Sequence, residues 1–273
     1  MDWVDLSIAI LAGIVQGIVE WLPVSSQGNL ALFLTAVGTD PDIALQLALF
    51  LQVGTTLSAI TYFRSDLTTV AQTLWHWRGE PGSEEQALVT YLVVACAMTG
   101  LVGIPLYILA VDLASELTGG AFVGIIGVLL VATGVFQLRA ESTSGTHQSE
   151  PTVRDSILVG AAQGIAILPG VSRSGMTTSV LLFRRYEPPE AFRLSFILSI
   201  PAALGAAVLT VAGAGGLPGI SPTAALAALV VSSVVGYLAI GIIMNVVERV
   251  PFWAVCFGLG GLAISGGVLA LLA

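Results

Sequence analysis

The chain has 273 residues, of which 56% are hydrophobic and 10% charged, with a mean hydropathy of +0.95. So little charge excludes a water-soluble domain, and a formal charge of −8 argues against nucleic acid as a partner. Continuous apolar runs reach the about 20 residues that cross a bilayer and do not alternate, which excludes a β-barrel and indicates an all-α integral membrane protein.

In chain order, the first apolar stretch, 4–20, ends at "EWLPVSSQG" and is followed by a short apolar segment, 30–38. It lacks a basic n-region and runs into Glu20 and a Pro-Ser turn, so it reads as part of the mature protein and not as a cleaved signal. Spans follow at about 43–63, 88–110 and 117–138. Between the first two, "DLTTVAQTLWHW" (66–77) has the pattern of a helix lying on the membrane surface. Residues 139–154 are polar and read as a linker. A second apolar stretch, 156–168, ends at "LPGVSRSG" and is followed by "MTTSVLLF" (176–183). Spans at about 191–212, 222–246 and 251–272 complete the chain. Cys96 and Cys256 fall inside spans, as small hydrophobes do. A half-length helix, a polar turn and another half-length helix predict a re-entrant hairpin, which is tolerated at membrane depth only where it is buried in protein or lines a wet cavity.

The two broken segments resemble each other. Sliding the sequence by 147 residues lays "GIVQGIVEWLPVSSQG" (13–28) on "GAAQGIAILPGVSRSG" (160–175), with identity at seven of sixteen positions. This predicts an internal repeat within one membrane domain: repeat 1 at about 1–138, a linker at 139–154 and repeat 2 at about 155–273. A hairpin enters and leaves by one face, and three spans then carry the chain to the other. The second copy therefore starts from the opposite side, and the two hairpin tips meet near the midplane.

Arginine placement fits this topology. Arg64, Arg78, Arg139, Arg154, Arg184, Arg185, Arg193 and Arg249 fall at one face, which the positive-inside rule makes cytoplasmic, with both termini outside. The remaining basic residue, Arg173, falls at the tip of the second hairpin. A charge at that depth is a functional-site hypothesis by default.

Gln16 and Glu20 lie four apart and share a helix face. Ser25, Ser26, Gly28 and Asn29 follow in the first turn; Ser172, Arg173, Ser174, Gly175, Thr177 and Thr178 make the second. Two helix N-termini, hydroxyls and one guanidinium converge, which suits an anion, phosphate above all. Glu20 beside such a site holds a divalent metal, takes a proton from a serine, or pairs with Arg173; the bland alternative is a buried ion pair that only ties the repeats together.

"GIVEWLPVSSQGN" and "PGVSRSGMT" resemble the two signature stretches of the undecaprenyl-diphosphate phosphatase family (BacA/UppP), and the likeness runs over essentially the whole chain. The resemblance implies hydrolysis of a polyprenyl diphosphate to the monophosphate in recycling a cell-envelope carrier lipid. It also implies a divalent metal (Mg or Ca) and a site opening on the outer face of the plasma membrane. By the same resemblance Glu20, Ser26 and Arg173 are catalytic, with Ser26 or a water as nucleophile. Gln16 and Glu20 hold metal. Ser25, Gly28, Asn29, Ser172, Ser174, Gly175, Thr177 and Thr178 bind phosphate. The lipid and the membrane are the partners, and a homodimer stays open. One position departs: where the family pattern has His, this chain has Asn29, which donates a hydrogen bond but takes no proton. The chain's two histidines, His76 and His147, fall in loops away from the turns. The rival reading is a secondary transporter or flippase of a lipid phosphate or other anion, built from the same inverted repeat.

Overall fold

A computed structural model describes residues 3–39, 41–75, 83–116, 119–141, 148, 150–168, 170–214, 221–246 and 251–272. Every regular element among the described residues is an α-helix: α1 (Trp3–Val19), α2 (Ser26–Ala36), α3 (Pro41–Tyr62), α4 (Arg64–Trp75), α5 (Glu84–Glu116), α6 (Gly119–Glu141), α7 (Val153–Ile165), α8 (Arg173–Phe183), α9 (Pro188–Ala214), α10 (Pro222–Val246) and α11 (Phe252–Leu272).

Among the described residues four helices are long and apolar enough to cross a membrane: 84–109, 120–140, 222–246 and 252–271. The sequence predicts six spans. The other two fall on α3 and α9, helices of 22 and 27 residues, each as long as the about 20 residues that a crossing needs. The segments on either side of the two polar turns are shorter than the spans: α1 has 17 residues, α2 has 11, α7 has 13 and α8 has 11. At about 1.5 Å per residue, α2, α7 and α8 fall well short of a hydrocarbon core of about 30 Å. The stretch read as a surface helix is helical as α4 up to Trp75; it contains no buried residue and leaves Trp75 87% exposed.

Helix packing follows a paired scheme. α1 packs along α10 and α7 along α5, while α3 meets α9 and α6 meets α11. Glycines permit the close approaches. A Cβ on Gly13 would lie 2.7 Å from the Ala228 carbonyl oxygen, and one on Gly17 2.7 Å from Val235 Cβ. The matching positions Gly160 and Gly164 would meet the Ala95 carbonyl oxygen at 2.4 Å and Val102 Cβ at 2.7 Å. Ala95 and Val102 are spaced along α5 as Ala228 and Val235 are along α10.

The described arginines outside the second turn share one end of the bundle. Arg193 of α9 binds Asp66 of α4 through its Nε at 3.1 Å and Glu190 at 2.8 Å. Arg184 at the end of α8 donates to the buried Asp155 at the start of α7. Asp155 also accepts from the Thr152 hydroxyl at 2.6 Å and the Tyr186 hydroxyl at 3.0 Å, so one carboxylate closes the base of the second hairpin. Phe136, near Arg139, stacks edge-on with Phe183, their ring centroids 5.2 Å apart.

Among the described residues two apolar clusters fill the interior. One gathers Trp21, Phe63, Tyr91, Phe192 and Phe196; the other gathers Leu30, Leu34, Leu47, Leu51, Phe122 and Ile126. Trp21 and Leu30 flank the first polar turn and belong to different clusters, so the turn sits at their junction.

Candidate active site

The first turn is built by a helix that stops and another that starts. Glu20 continues the α1 ladder, its N–H on the Gln16 carbonyl at 3.0 Å. Pro23 lacks the N–H that a continuing helix requires, and the chain turns. Ser25 adopts φ 57°, the left-handed region, and caps α2: its hydroxyl oxygen accepts from the Gly28 N–H at 3.3 Å. Asn29 fastens the turn from inside, donating to the Val24 carbonyl at 2.6 Å and the Ser25 carbonyl at 2.9 Å. Both amide hydrogens of Asn29 are thus spent on the hairpin's own backbone.

The second turn repeats the plan. Ser172 caps α8, accepting from the Gly175 N–H at 3.0 Å. Gly170, at φ 97°, makes the approach; a Cβ there would lie 2.7 Å from the Ile126 carbonyl oxygen.

The two turns touch. The Gly170 N–H donates to Ser25 Oγ at 3.2 Å, and Ser174 Oγ donates to the Leu22 carbonyl at 3.0 Å. Cys256 Sγ donates to the Pro23 carbonyl at 3.3 Å, and Gln137 Nε2 donates to the same oxygen, so α6 and α11 brace the junction.

Glu20 is the hub. Its Oε2 accepts from Gln16 Nε2 at 2.7 Å and from Ser26 Oγ at 2.5 Å; its Oε1 accepts from Arg173 Nη2. The Glu20 side chain is 2% exposed and that of Arg173 18%, so the guanidinium is the partner that reaches open space. That space is a cavity of about 50 Å³, lined by Glu20, Ser25, Ser26, Ser172, Arg173 and Ser174 with Gln27, Gln52, Gln163 and an apolar wall. It has room for a few waters, or for a group of phosphoryl size. Ser26 and Arg173 are the first residues of α2 and α8, so both helices open towards it.

Six of the sequence-predicted residues therefore line one cavity. The other six stand behind it. Gln16 is fully buried against Glu20. Gly28 and Gly175 are packed at the junction, where Cβ atoms would lie 3.1 Å from the Gly170 nitrogen and 3.0 Å from the Pro23 carbonyl oxygen. Asn29 holds the first turn. Thr177 shares a 2.6 Å hydrogen bond with Ser195, and Thr178 donates to the Ser174 carbonyl at 2.5 Å. His76 and His147 lie outside the described residues. Sequence reasoning missed Gln27, Gln52 and Gln163 in the lining. The signal for Gln163 was present: it is the repeat partner of Gln16.

No group of three or more His, Cys, Asp or Glu side chains suited to a metal occurs among the described residues. The donors at hand are oxygens: the Glu20 carboxylate, with Gln16 Oε1 and Gln163 Oε1 buried without a partner. One carboxylate and neutral oxygens, completed by substrate phosphate, fit Mg²⁺ or Ca²⁺ and not a soft metal.

Comparison with known proteins identifies the family. The sequence model of the family described as "Bacitracin resistance protein BacA" matches residues 9–262. A protein of Haloarcula marismortui named undecaprenyl-diphosphatase is 46% identical over 266 residues, covering 97% of this chain and 98% of that protein. Relatives of the same name in Methanococcoides burtonii and Methanopyrus kandleri are each 36% identical over 266 residues; these matches cover 95% and 97% of this chain, and 97% of each relative. The chain belongs to the bacitracin resistance protein BacA family.

Proposed function

We propose that this protein hydrolyses a polyprenyl diphosphate of the undecaprenyl type to the monophosphate and inorganic phosphate in the cavity between the two turns. The carrying observation is that Glu20 accepts hydrogen bonds from Ser26 and Arg173 at once. A serine bonded to a buried carboxylate has a base in contact, and the guanidinium beside them suits phosphate oxygens.

In this mechanism Ser26 Oγ attacks the terminal phosphorus while its proton passes to Glu20 Oε2. The bond from that phosphorus to the bridging oxygen breaks, and the electron pair leaves on the lipid monophosphate. Glu20 releases the proton to solvent, then takes one from the water that attacks the phosphoserine; Ser26 regains a proton as phosphate departs. Arg173 uses one N–H on Glu20 and turns others of its fork to the phosphate oxygens, where charge develops in the transition state. The N-termini of α2 and α8 add favourable dipoles. A divalent metal held by Glu20 and Gln16 would supply charge neutralisation when bound. Ser25, Ser172 and Ser174 orient the phosphate, while Gly28, Gly175, Asn29, Thr177 and Thr178 keep the two turns in register.

The same reading makes the chain an inverted repeat with two re-entrant hairpins. Supporting it are the exchanged pairs α1–α10 and α7–α5, their matched glycine contacts, and the shortness of α2, α7 and α8. By the positive-inside rule the arginine end is cytoplasmic, the termini are outside, and the cavity opens outward in the plasma membrane.

The test is phosphate release from a polyprenyl diphosphate by purified protein in detergent with Mg²⁺ or Ca²⁺. Release that depends on Glu20, Ser26 and Arg173 supports the enzyme. Tight binding without release supports the carrier.

A further inference from the structure

Gln163 lines the cavity, is 3% exposed, and has an amide oxygen without a partner. The orientation of that amide is fixed by a chain of hydrogen bonds. The Thr99 hydroxyl donates to the Ala95 carbonyl at 2.7 Å and lies 3.2 Å from the Gly160 carbonyl. Its proton is thus used on carbonyl oxygens, and it accepts from Gln163 Nε2 at 3.1 Å. The NH₂ end of Gln163 is held on α5, and Oε1 is left buried at the cavity wall without a partner. The repeat partner Gln16 behaves differently, because its Nε2 is taken by Glu20, whereas the counterpart of Glu20 in the second repeat is Ile167.

An acceptor oxygen fixed in a cavity meant for an anion is a mismatch unless a cation comes with the anion. Arg173 offers part of its fork to the phosphate, but its charge is balanced by Glu20, so the pair brings no net positive charge to the site. Resting on the phosphatase reading above, we infer that Gln163 Oε1 is a ligand of the divalent cation that enters with the diphosphate, so that the cation is held from both repeats, by Glu20 from one and Gln163 from the other. Hard oxygen ligands of this kind, completed by phosphate, suit Mg²⁺ or Ca²⁺.

The experiment measures Mn²⁺ binding by the full-length protein in detergent, using the resonance signal of free Mn²⁺, with and without a methylene-bridged polyprenyl diphosphonate that cannot be cleaved. With the analogue present, Gln163→Leu is expected to raise the Mn²⁺ Kd at least tenfold, and Gln163→Glu to lower it. Thr99→Val, which frees the amide to turn, is expected to raise Kd without touching the cavity. An unchanged Kd in a folded Gln163→Leu protein overturns the inference. Should that variant fail to fold, an unchanged Kd in both Gln163→Glu and Thr99→Val does the same. Phosphate release is measured separately on the unmodified protein. Release with a Kd indifferent to residue 163 sinks this inference alone; a Kd that depends on residue 163 with no release sinks the phosphatase reading alone.

Discussion

Arg173 donates a hydrogen bond to Glu20 Oε1 across 153 residues of sequence, joining the tips of two turns that the chain builds separately. A tie and a catalytic pair make different predictions. Arg173→Ala leaves Glu20 buried and uncompensated, which destabilises the fold by about 3–5 kcal/mol. Removing both groups relieves most of that loss, so a double-mutant cycle by denaturation shows strong coupling. Phosphate release behaves otherwise: it falls by about 10²–10³-fold in the single variant and does not recover in the double one. Arg173→Lys keeps the charge but lacks the planar fork, and turnover stays low.

Ser26 and Glu20 are separable by conservative changes. Ser26→Ala removes the nucleophile and Glu20→Gln the base while keeping the shapes. Each lowers turnover by about 10²-fold or more, measured as released phosphate. If Ser26→Ala turns over like the parent, water is the nucleophile and the serine only positions it.

Asn29 stands where the family resemblance leads one to expect histidine, and its amide donates to two carbonyls of its own turn. Asn29→Asp sets a carboxylate against those carbonyls. It is expected to lower stability by about 1–3 kcal/mol and to slow turnover by displacing Ser25 and Ser26. Asn29→His tests whether an imidazole adds to the chemistry; phosphate release no faster than the parent's is the expected outcome.

Much of this site was legible in the sequence because its physics is local. Two Val-Ser-x-x-Gly turns, each ending an apolar run too short to span, mark broken helices whatever surrounds them. A lone arginine inside one of them is costly enough to be noticed. The partners across space were not legible. That Cys256 and Gln137 brace the Pro23 carbonyl, or that Thr99 turns Gln163, depends on which helix faces which. An amide at a helix start offers donors, and on that ground the sequence makes Asn29 a phosphate ligand. Its short side chain instead folds back onto the nearest carbonyls, a preference of Asn in turns that competes with any ligand.

Gly170 tests the junction itself. It has φ 97°, and any Cβ would lie 2.7 Å from the Ile126 carbonyl oxygen. Gly170→Ala therefore strains the backbone by about 1–3 kcal/mol and pushes the second turn off α6. Turnover should fall with stability, and the ion pair should loosen, although no catalytic group has changed.

Asp155 at the hairpin base provides a pH test. Burial alone would raise its pKa, but hydrogen bonds from Thr152, Arg184 and Tyr186 outweigh burial and hold the carboxyl below its ordinary value. A depressed carboxyl contributes stability above its unfolded pKa of about 3.9 and loses it as pH falls through the folded value. At neutral pH the contribution is complete. Asp155→Asn is expected to reduce stability by about 1.5–3 kcal/mol at pH 7. The gap between variant and parent should close below about pH 4, measured by unfolding in detergent across that range.

The most direct measurement is phosphate release from a polyprenyl diphosphate, with Mg²⁺ present, by the purified parent and its Arg173→Ala variant side by side. Steady release by the parent, lost in a variant that still folds, is the predicted result. No release by a parent that binds the lipid tightly, or equal release by both proteins, would contradict the assignment of chemistry to the meeting point of the two turns.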